Sequence, residues 1–379
     1  DSVLSLKAET HNFPTTVEPF NGAATGTGGE IRDRMAGGRA SIPLAGTAVY
    51  MTSYLRSEAG RSWEQHTEAR PWLYQTPRQI LTKASNGASD FGNKFGQPLI
   101  CGSVLTFEHE GKTGEPTYGF DKVIMLAGGV GYAHRSDAQK GTPKPGEQVV
   151  LLGGDNYRIG MGGGAVSSVN TGQYAGTIEL NAVQRSNPEM QKRVENVIRT
   201  LSESEDNPII SIHDHGAGGH LNCLSELVET TGGHFDLSAF PIGDETLSSK
   251  EIIGNESQER MGLLVKGDAV ERIARIAERE RAPMYVVGRT TDDMHLTFED
   301  ADGSKPIDLA LSDMFGSAPK TYMVDKHVER KHAPLSYDSQ QVESYLDAVL
   351  QQEGVACKDW LTNKVDRSVT GRVARQQCQ

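Results

Sequence analysis

Cysteine and aromatic residues are scarce in this chain. Its 379 residues include four cysteines, Cys101, Cys223, Cys357 and Cys378, none in a CxxC pair. That spacing excludes a disulfide scaffold and a clustered thiolate metal site, and reads as reduced thiols in a cytoplasmic protein. Aromatics make up 6% and are not interleaved with any basic stripe; 50 acidic residues outweigh 38 basic ones, for a net charge of −12. Phosphate backbones repel such a surface, so nucleic acid is excluded as a partner. No apolar run approaches the length of a membrane span, and no signal peptide opens the chain, so no membrane partner is expected. An initiating methionine is also lacking. The chain starts at Asp1 with chemically interesting residues close behind, and reads as a piece of a longer protein.

Glycine, by contrast, is abundant. There are 42, about one residue in nine against a usual one in fourteen. The densest stretch, Lys7 to Asp33, joins two kinds of chemistry. Lys7, Glu9, His11 and Asn12 come first; Gly22, Gly26, Gly28 and Gly29 then run into Glu30, Arg32 and Asp33. Read as a loop, such glycines let backbone N–H groups cradle an anion. Glu9 and Asp33 are hard oxygen donors of the kind Mg2+ takes beside phosphate. The stretch is not a P-loop, because no Lys-Ser/Thr follows the glycines, nor a dinucleotide fingerprint, because Arg32 and Asp33 stand where a third glycine would fall. A bland surface loop competes with the functional reading; the charged residues on both sides favour function.

The same stretch resembles the signature of the phosphoribosylformylglycinamidine synthase family, Lys-x-Glu-Thr/Ser-His-Asn-His-Pro followed by Gly-Ala-Ala-Thr-Gly-x-Gly-Gly-x-Ile-Arg-Asp. The resemblance continues through Gly162-Gly163-Gly164, Val183-Gln184, the run from Ile212 to Gly219, and Asn255-Glu256-Ser257-Gln258-Glu259-Arg260. It spans nearly the whole chain with the order kept. One position departs: the second histidine of the signature is Phe13 here, which offers only backbone or packing.

The resemblance implies an ATP-dependent conversion of formylglycinamide ribonucleotide to its amidine, with ammonia from glutamine and Mg2+ as cofactor. It implies ATP contacts from Lys7, Gly22, Ala23, Ala24, Thr25, Gly26, Thr27, Gly28, Gly29, Glu30, Ile31, Arg32 and Asp33. Glu9, Asp33 and Asp214 would hold Mg2+, and His11 would be the general base or proton shuttle. Thr10, Asn12, Phe13, Arg32, Gln184, Glu256, Ser257 and Gln258 match substrate contacts. The partners implied are a second, homologous synthetase-like module and a glutaminase domain, both beyond this piece. The fragment is expected to be inactive alone, and to dimerise in place of the missing half.

Along the chain, Thr16 to Phe20 and Ile42 to Leu55 read as strands flanking the glycine loop. Thr76-Pro77 opens a helix that ends near Gly92; Leu99 to Phe107 and Lys122 to Tyr132 read as strands. GTPKPGE, near residues 140 to 146, is the best linker. After it come a buried strand from Gln148, a second glycine-rich loop from Gly160 to Gly164, and a helix from Asn187-Pro188. Pro208 to Ile212 forms a short strand delivering His213, Asp214 and His215 to its end. His213 and His215 alternate, which argues against a shared zinc. Asp268 caps a further helix, and Met284 to Arg289 and His295 to Phe298 are strands.

The fold class expected is α/β (α+β), with synthetase-like N- and C-terminal domains over 1–146 and 147–318. Residues 319–379 are read as a linker, a helix and, from Asp366, the start of the second module. Two other readings compete with the synthase: another ATP-dependent enzyme of the same superfamily, and a non-catalytic nucleotide-binding module that stabilises an assembly.

Overall fold

The computed structural model describes residues 1–379 except 58–60, 70, 72–73, 112, 258, 328, 330–332, 363–368 and 372–379. The chain opens with β1 (Ser2–Thr10), α1 (Asn12–Val17), α2 (Pro19–Met35), β2 (Ile42–Thr52), α3 (Pro77–Phe95) and β3 (Leu99–Thr106). A short hairpin, β4 (Glu108–His109) with β5 (Tyr118–Gly119), leads to β6 (Ile124–His134). These make a four-stranded sheet in the order β1-β6-β2-β3, with β2 and β3 parallel and the other pairs antiparallel.

The remainder builds a seven-stranded sheet. In chain order it uses β7 (Gln148–Gly153), α4 (Gly163–Ser167), α5 (Gly176–Asn181), α6 (Pro188–Ser202), β8 (Ile209–Asp214), α7 (Gly219–Leu227) and β9 (Gly233–Asp236). Then follow α8 (Ser249–Gly254), β10 (Arg260–Val265), α9 (Val270–Glu280), β11 (Met284–Thr290), β12 (His295–Glu299), β13 (Ile307–Ala310) and α10 (Leu311–Met314). The strand order is β13-β12-β9-β11-β7-β10-β8, antiparallel except for β9 with β12. The exposed segment from 316 to 327 has no regular structure, and α11 (Val342–Gln351) and α12 (Asp359–Thr362) follow. The expected second-module start at Asp366 lies mostly outside the described residues.

The glycine-rich stretch is not a loop but the buried helix α2, and Thr16 to Phe20 is not a strand but the junction of α1 and α2. Pro19 sits in the first turn of α2, where its fixed φ suits a helix. Each interior glycine costs a helix about 1 kcal/mol relative to alanine; tertiary packing overrides that cost. A Cβ on Gly22 would lie 2.3 Å from the Pro14 carbonyl carbon, and one on Gly28 would lie 2.6 Å from the Phe91 ring. Only glycine lets α2 press this closely against α1 and α3.

Smaller differences concern helix ends. The helix α3 runs to Phe95 and stops at Gly96, whose φ of 97° suits a left-handed cap. Asp268 lies in a 3-10 turn rather than capping α9, whose N-cap residue is Ala269. Asn187 does cap α6, accepting from Met190 N at 3.1 Å.

One apolar cluster joins the parts. Ala24, Ile31, Met35, Phe91 and Phe95 from α2 and α3 pack with Val150 and Leu152 of β7 and with Val194, Val197, Ile198 and Leu201 of α6. The helix α2 is thereby fixed in the seam between the two sheets, with Arg32 reaching Gln191 of α6 and Arg34 reaching the Val130 carbonyl of β6.

Candidate functional site

Alternation along β1 decides which side chains enter the seam. Lys7 and Glu9 share the half-buried face that meets α2, while Leu4, Leu6, Ala8 and Thr10 are exposed on the other. Thr10, expected to contact substrate, therefore points its side chain away from Glu9. From α2, Asp33 reaches Lys7, with Nζ 2.6 Å from Oδ2. Asp214, at the end of β8, completes a group drawn from both sheets, hydrogen-bonded through Asp33. Gly29 makes room for Glu9: a Cβ there would stand 3.3 Å from Glu9 Oε2.

Burial and like charge set the electrostatics. The Glu9 carboxyl is pushed up to about 8, first by burial and then by Asp33, and its Oε2 is buried without a hydrogen-bond partner. Asp214 is pushed up to about 6 by burial and by Asp33. For Asp33 burial acts upward, but hydrogen bonds from Lys7 and Glu9 outweigh it and the carboxyl titrates below its usual range. Burial acts downward on Lys7, and Asp33 more than restores it. Among the described residues, no three His, Cys, Asp or Glu side chains already form a metal-ligand set. The carboxylates meet pairwise, with Lys7 beside Asp33.

His11 follows β1 directly. Its Nδ1 lies 2.5 Å from the Gly22 carbonyl. With Nδ1–H donating there, Nε2 is the proton-accepting atom. Burial holds this imidazole down at about 4, so it is neutral at physiological pH. Asn12 is tied to β6, its Oδ1 accepting from Met125 N at 3.0 Å. Phe13 is 3% exposed and packs with Val17, Val166, Ala182 and Val183. The Lys122 ammonium stands 5.7 Å from its ring centroid. Where the signature has an imidazole, an apolar wedge fills the space against the second glycine-rich segment.

The other residues of the glycine stretch are committed to structure. Gly22 N donates to Glu18 O at 2.7 Å as part of the helix, and helical N–H groups beyond the first turn are spent on i−4 carbonyls. An amide cradle for phosphate is therefore not formed by Gly22 to Gly29. Ala23, Ala24 and Ile31 are core residues, and Thr25 and Thr27 are buried, Thr25 Oγ1 donating to Asn21 O at 2.7 Å. Glu30 accepts from Arg34 Nε at 2.8 Å and from Gln97 Nε2 at 2.6 Å. Arg32, 1% exposed, donates to Gln191 Oε1 at 2.8 Å and pairs with Glu259 at 3.6 Å.

The second glycine-rich segment remains a turn, with φ of 67° at Gly160 and 63° at Gly162, before α4. Glu256 spans it. Its Oε1 accepts from Gly164 N and Gly218 N, each at 3.2 Å, and its Oε2 from Gln184 Nε2 at 2.7 Å. Ser257 exchanges hydrogen bonds with the Tyr157 backbone at 3.2 and 3.3 Å. Gln258 lies outside the described residues. His213 turns towards Glu226, at 2.8 Å, and Lys140, whereas His215 turns inward to His220, at 2.9 Å.

Residues 144–301 match the family model for the AIR synthase related protein, C-terminal domain. A phosphoribosylformylglycinamidine synthase of Dictyostelium discoideum is 40% identical over 389 residues, covering 99% of this chain and 29% of that protein. A probable chloroplastic/mitochondrial synthase of Arabidopsis thaliana is 41% identical, covering 100% of this chain and 28% of that protein. Over its whole length the chain is similar to one segment of phosphoribosylformylglycinamidine synthases. It spans under a third of the length of these relatives. Among solved structures, T. maritima PurL complexed with FGAR aligns with a TM-score of 0.71 at 22% identity, over 91% of this chain and 52% of that one. The same protein complexed with ATP aligns with a TM-score of 0.65 at 20% identity, over 93% and 51%. The fold is thus the AIR synthase-like α/β arrangement, as the family resemblance implied.

Proposed function

We propose that this chain forms a substrate-activating half-site of an ATP-dependent carbon–nitrogen ligase that makes formylglycinamidine ribonucleotide. The observation that carries the reading is the assembly of Lys7, Glu9, Asp33 and Asp214 from β1, α2 and β8 at one seam. In the reaction, the amide oxygen of formylglycinamide ribonucleotide takes the terminal phosphoryl group of ATP. Ammonia adds to the activated carbon, its proton is removed, and phosphate leaves with the former amide oxygen.

Lys7 supplies the cation for the ATP phosphates, and α2 contributes its close approach to β1 rather than free amides. Glu9, Asp33 and Asp214 are hard donors of the kind Mg2+ takes, and Glu9 Oε2 is buried without a hydrogen-bond partner, a lack that a cation would make good. When bound, Mg2+ supplies neutralisation of phosphate charge. His11 accepts a proton at Nε2 while Gly22 fixes the ring. Gln184, from the loop before α6, and Glu256 and Ser257, from the loop before β10, contact the substrate on this reading.

A homologous second module is the partner that the open face of the four-stranded sheet suits. Leu4, Leu6 and Leu105 are 68%, 85% and 44% exposed there. On this reading ammonia comes from glutamine at a separate glutaminase domain, and the chain alone does not use glutamine. A cytoplasmic location is supported by the free thiols of Cys101, Cys223 and Cys357.

Free ammonia bypasses the glutaminase in a test. Formation of the amidine from MgATP, ammonia and formylglycinamide ribonucleotide is measured with this chain joined to the rest of a family member. His11→Ala should lower kcat by about 10²–10⁴. Unchanged turnover would favour a non-catalytic module.

A further inference from the structure

The turn that presents Glu256 and Ser257 is closed from behind by an arginine that the proposed chemistry does not use. Arg260, 1% exposed, begins β10 at the end of this turn, and its guanidinium reaches back to Asn255 at the start. One terminal nitrogen donates to Asn255 Oδ1 at 3.2 Å and to the Asn255 carbonyl at 3.3 Å. The other donates to Asn156 Oδ1 and lies 2.8 Å from His220 Nε2. Asn255 passes the constraint forward, because the same Oδ1 accepts from Ser257 N at 3.1 Å. Its Nδ2 donates to Asn156 Oδ1 at 2.7 Å. Asn156 is itself anchored to the Pro241 carbonyl through its N, at 3.0 Å, and its Nδ2, at 2.7 Å.

This framework holds a backbone that would not hold itself. Glu259, within the turn, has φ of 64°, a left-handed conformation unfavourable to a non-glycine residue. Such strain persists only where surrounding contacts over-determine it. The planar fork of arginine suits the task, since it meets Asn255 and Asn156 at fixed angles; a lysine ammonium has neither the plane nor the second nitrogen. His220 and His215 extend the network inward as neutral imidazoles.

We infer that Arg260 is a positioning residue: through Asn255 it sets the turn that places Glu256 and Ser257 against the substrate. The inference rests on the proposed function for what the turn contacts, but the clamp itself can be read without any ligand. Two measurements on Arg260→Lys, which keeps the charge, test it. Hydrogen–deuterium exchange of the peptide covering 254–260 should accelerate at least about tenfold, the loss of a charge-assisted hydrogen bond, with β7 and β11 unchanged. Unchanged exchange in that peptide would overturn the inference whatever binds.

Calorimetry on the chain joined to the rest of a family member should show about tenfold weaker binding of formylglycinamide ribonucleotide and unaltered binding of MgATP. A parallel loss of both would mark Arg260 as merely structural. If the parent protein binds neither ligand, the proposed function falls, while the exchange result still decides the clamp. Should Arg260→Lys fail to fold, Asn255→Asp and Asn255→Leu give the same comparison. The aspartate keeps the acceptor for Arg260 and Ser257 N and should retain protection; the leucine should lose it. Equal protection in both would overturn the inference.

Discussion

At the residue scale, α2 shows how one residue type serves packing where a ligand loop was expected. Gly22→Ala gains about 1 kcal/mol of helix propensity but places a Cβ 2.3 Å from the backbone of Pro14, which cannot give way as a flexible side chain does. Overpacking of this kind costs typically 1–3 kcal/mol or more, so the variant should show a lower midpoint in chemical denaturation. Gly29→Ala is the informative contrast. Its nearest neighbour is Glu9 Oε2 at 3.3 Å, so stability should change little while the acidic group at the seam is disturbed. Equal stability of Gly22→Ala and the parent would contradict the close packing.

Glu30 gives a pH prediction on the same helix. Burial pushes its carboxyl up to about 7 despite the Arg34 ion pair, and burial likewise lowers Arg34. A carboxyl raised in the folded state binds its proton more tightly there than in the unfolded chain. Its contribution is therefore full below about 4.5 and is lost as pH rises through about 7. Glu30→Gln, which cannot titrate, should show a flatter stability profile from pH 5 to 8 in urea titrations. An unchanged slope would mean that Glu30 is not the group responsible.

At the scale of elements, the sequence was legible wherever local chemistry and tertiary demand agree. Thr76-Pro77 announces α3, and the structure carries a reciprocal cap between Thr76 and Gln79. Thr76→Ala should lower stability by about 1 kcal/mol, measurable as a shift in Tm. The strands β2, β3, β6, β7 and β8 were readable from β-branched and apolar runs bounded by turns. The failure at α2 has a physical reason. Four glycines argue against a helix locally, and only the neighbours Pro14, His11 and Phe91 reveal why they are needed. Likewise Thr10 was grouped with its chain neighbours, whereas strand alternation sends it to the opposite face. The clamp around Arg260 could not be read at all. It joins residues from Asn156 to Arg260 that only the seven-stranded sheet brings together.

At the scale of the molecule, the two sheets are not separate. The shared cluster around α2, α3 and α6 joins the two sheets, and that packing brings Asp33 of α2 to Asp214 of β8. The same layout leaves one sheet face uncovered. Exposed apolar side chains on an uncovered sheet face favour association, so the isolated chain should self-associate through this face. Leu6→Glu should shift sedimentation towards monomer without lowering Tm; an unchanged sedimentation profile would mean that another surface is used.

On the proposed function, MgATP engages at the acidic group in the seam, beside Lys7. The most direct test is calorimetric titration of MgATP into the chain joined to the rest of a family member, in its native form and as Asp33→Asn and Asp214→Asn. Binding should be saturable, require Mg2+ and weaken at least about tenfold in each variant, the loss of a charged contact. Binding that is indifferent to Mg2+, or unchanged in both variants, would contradict that engagement.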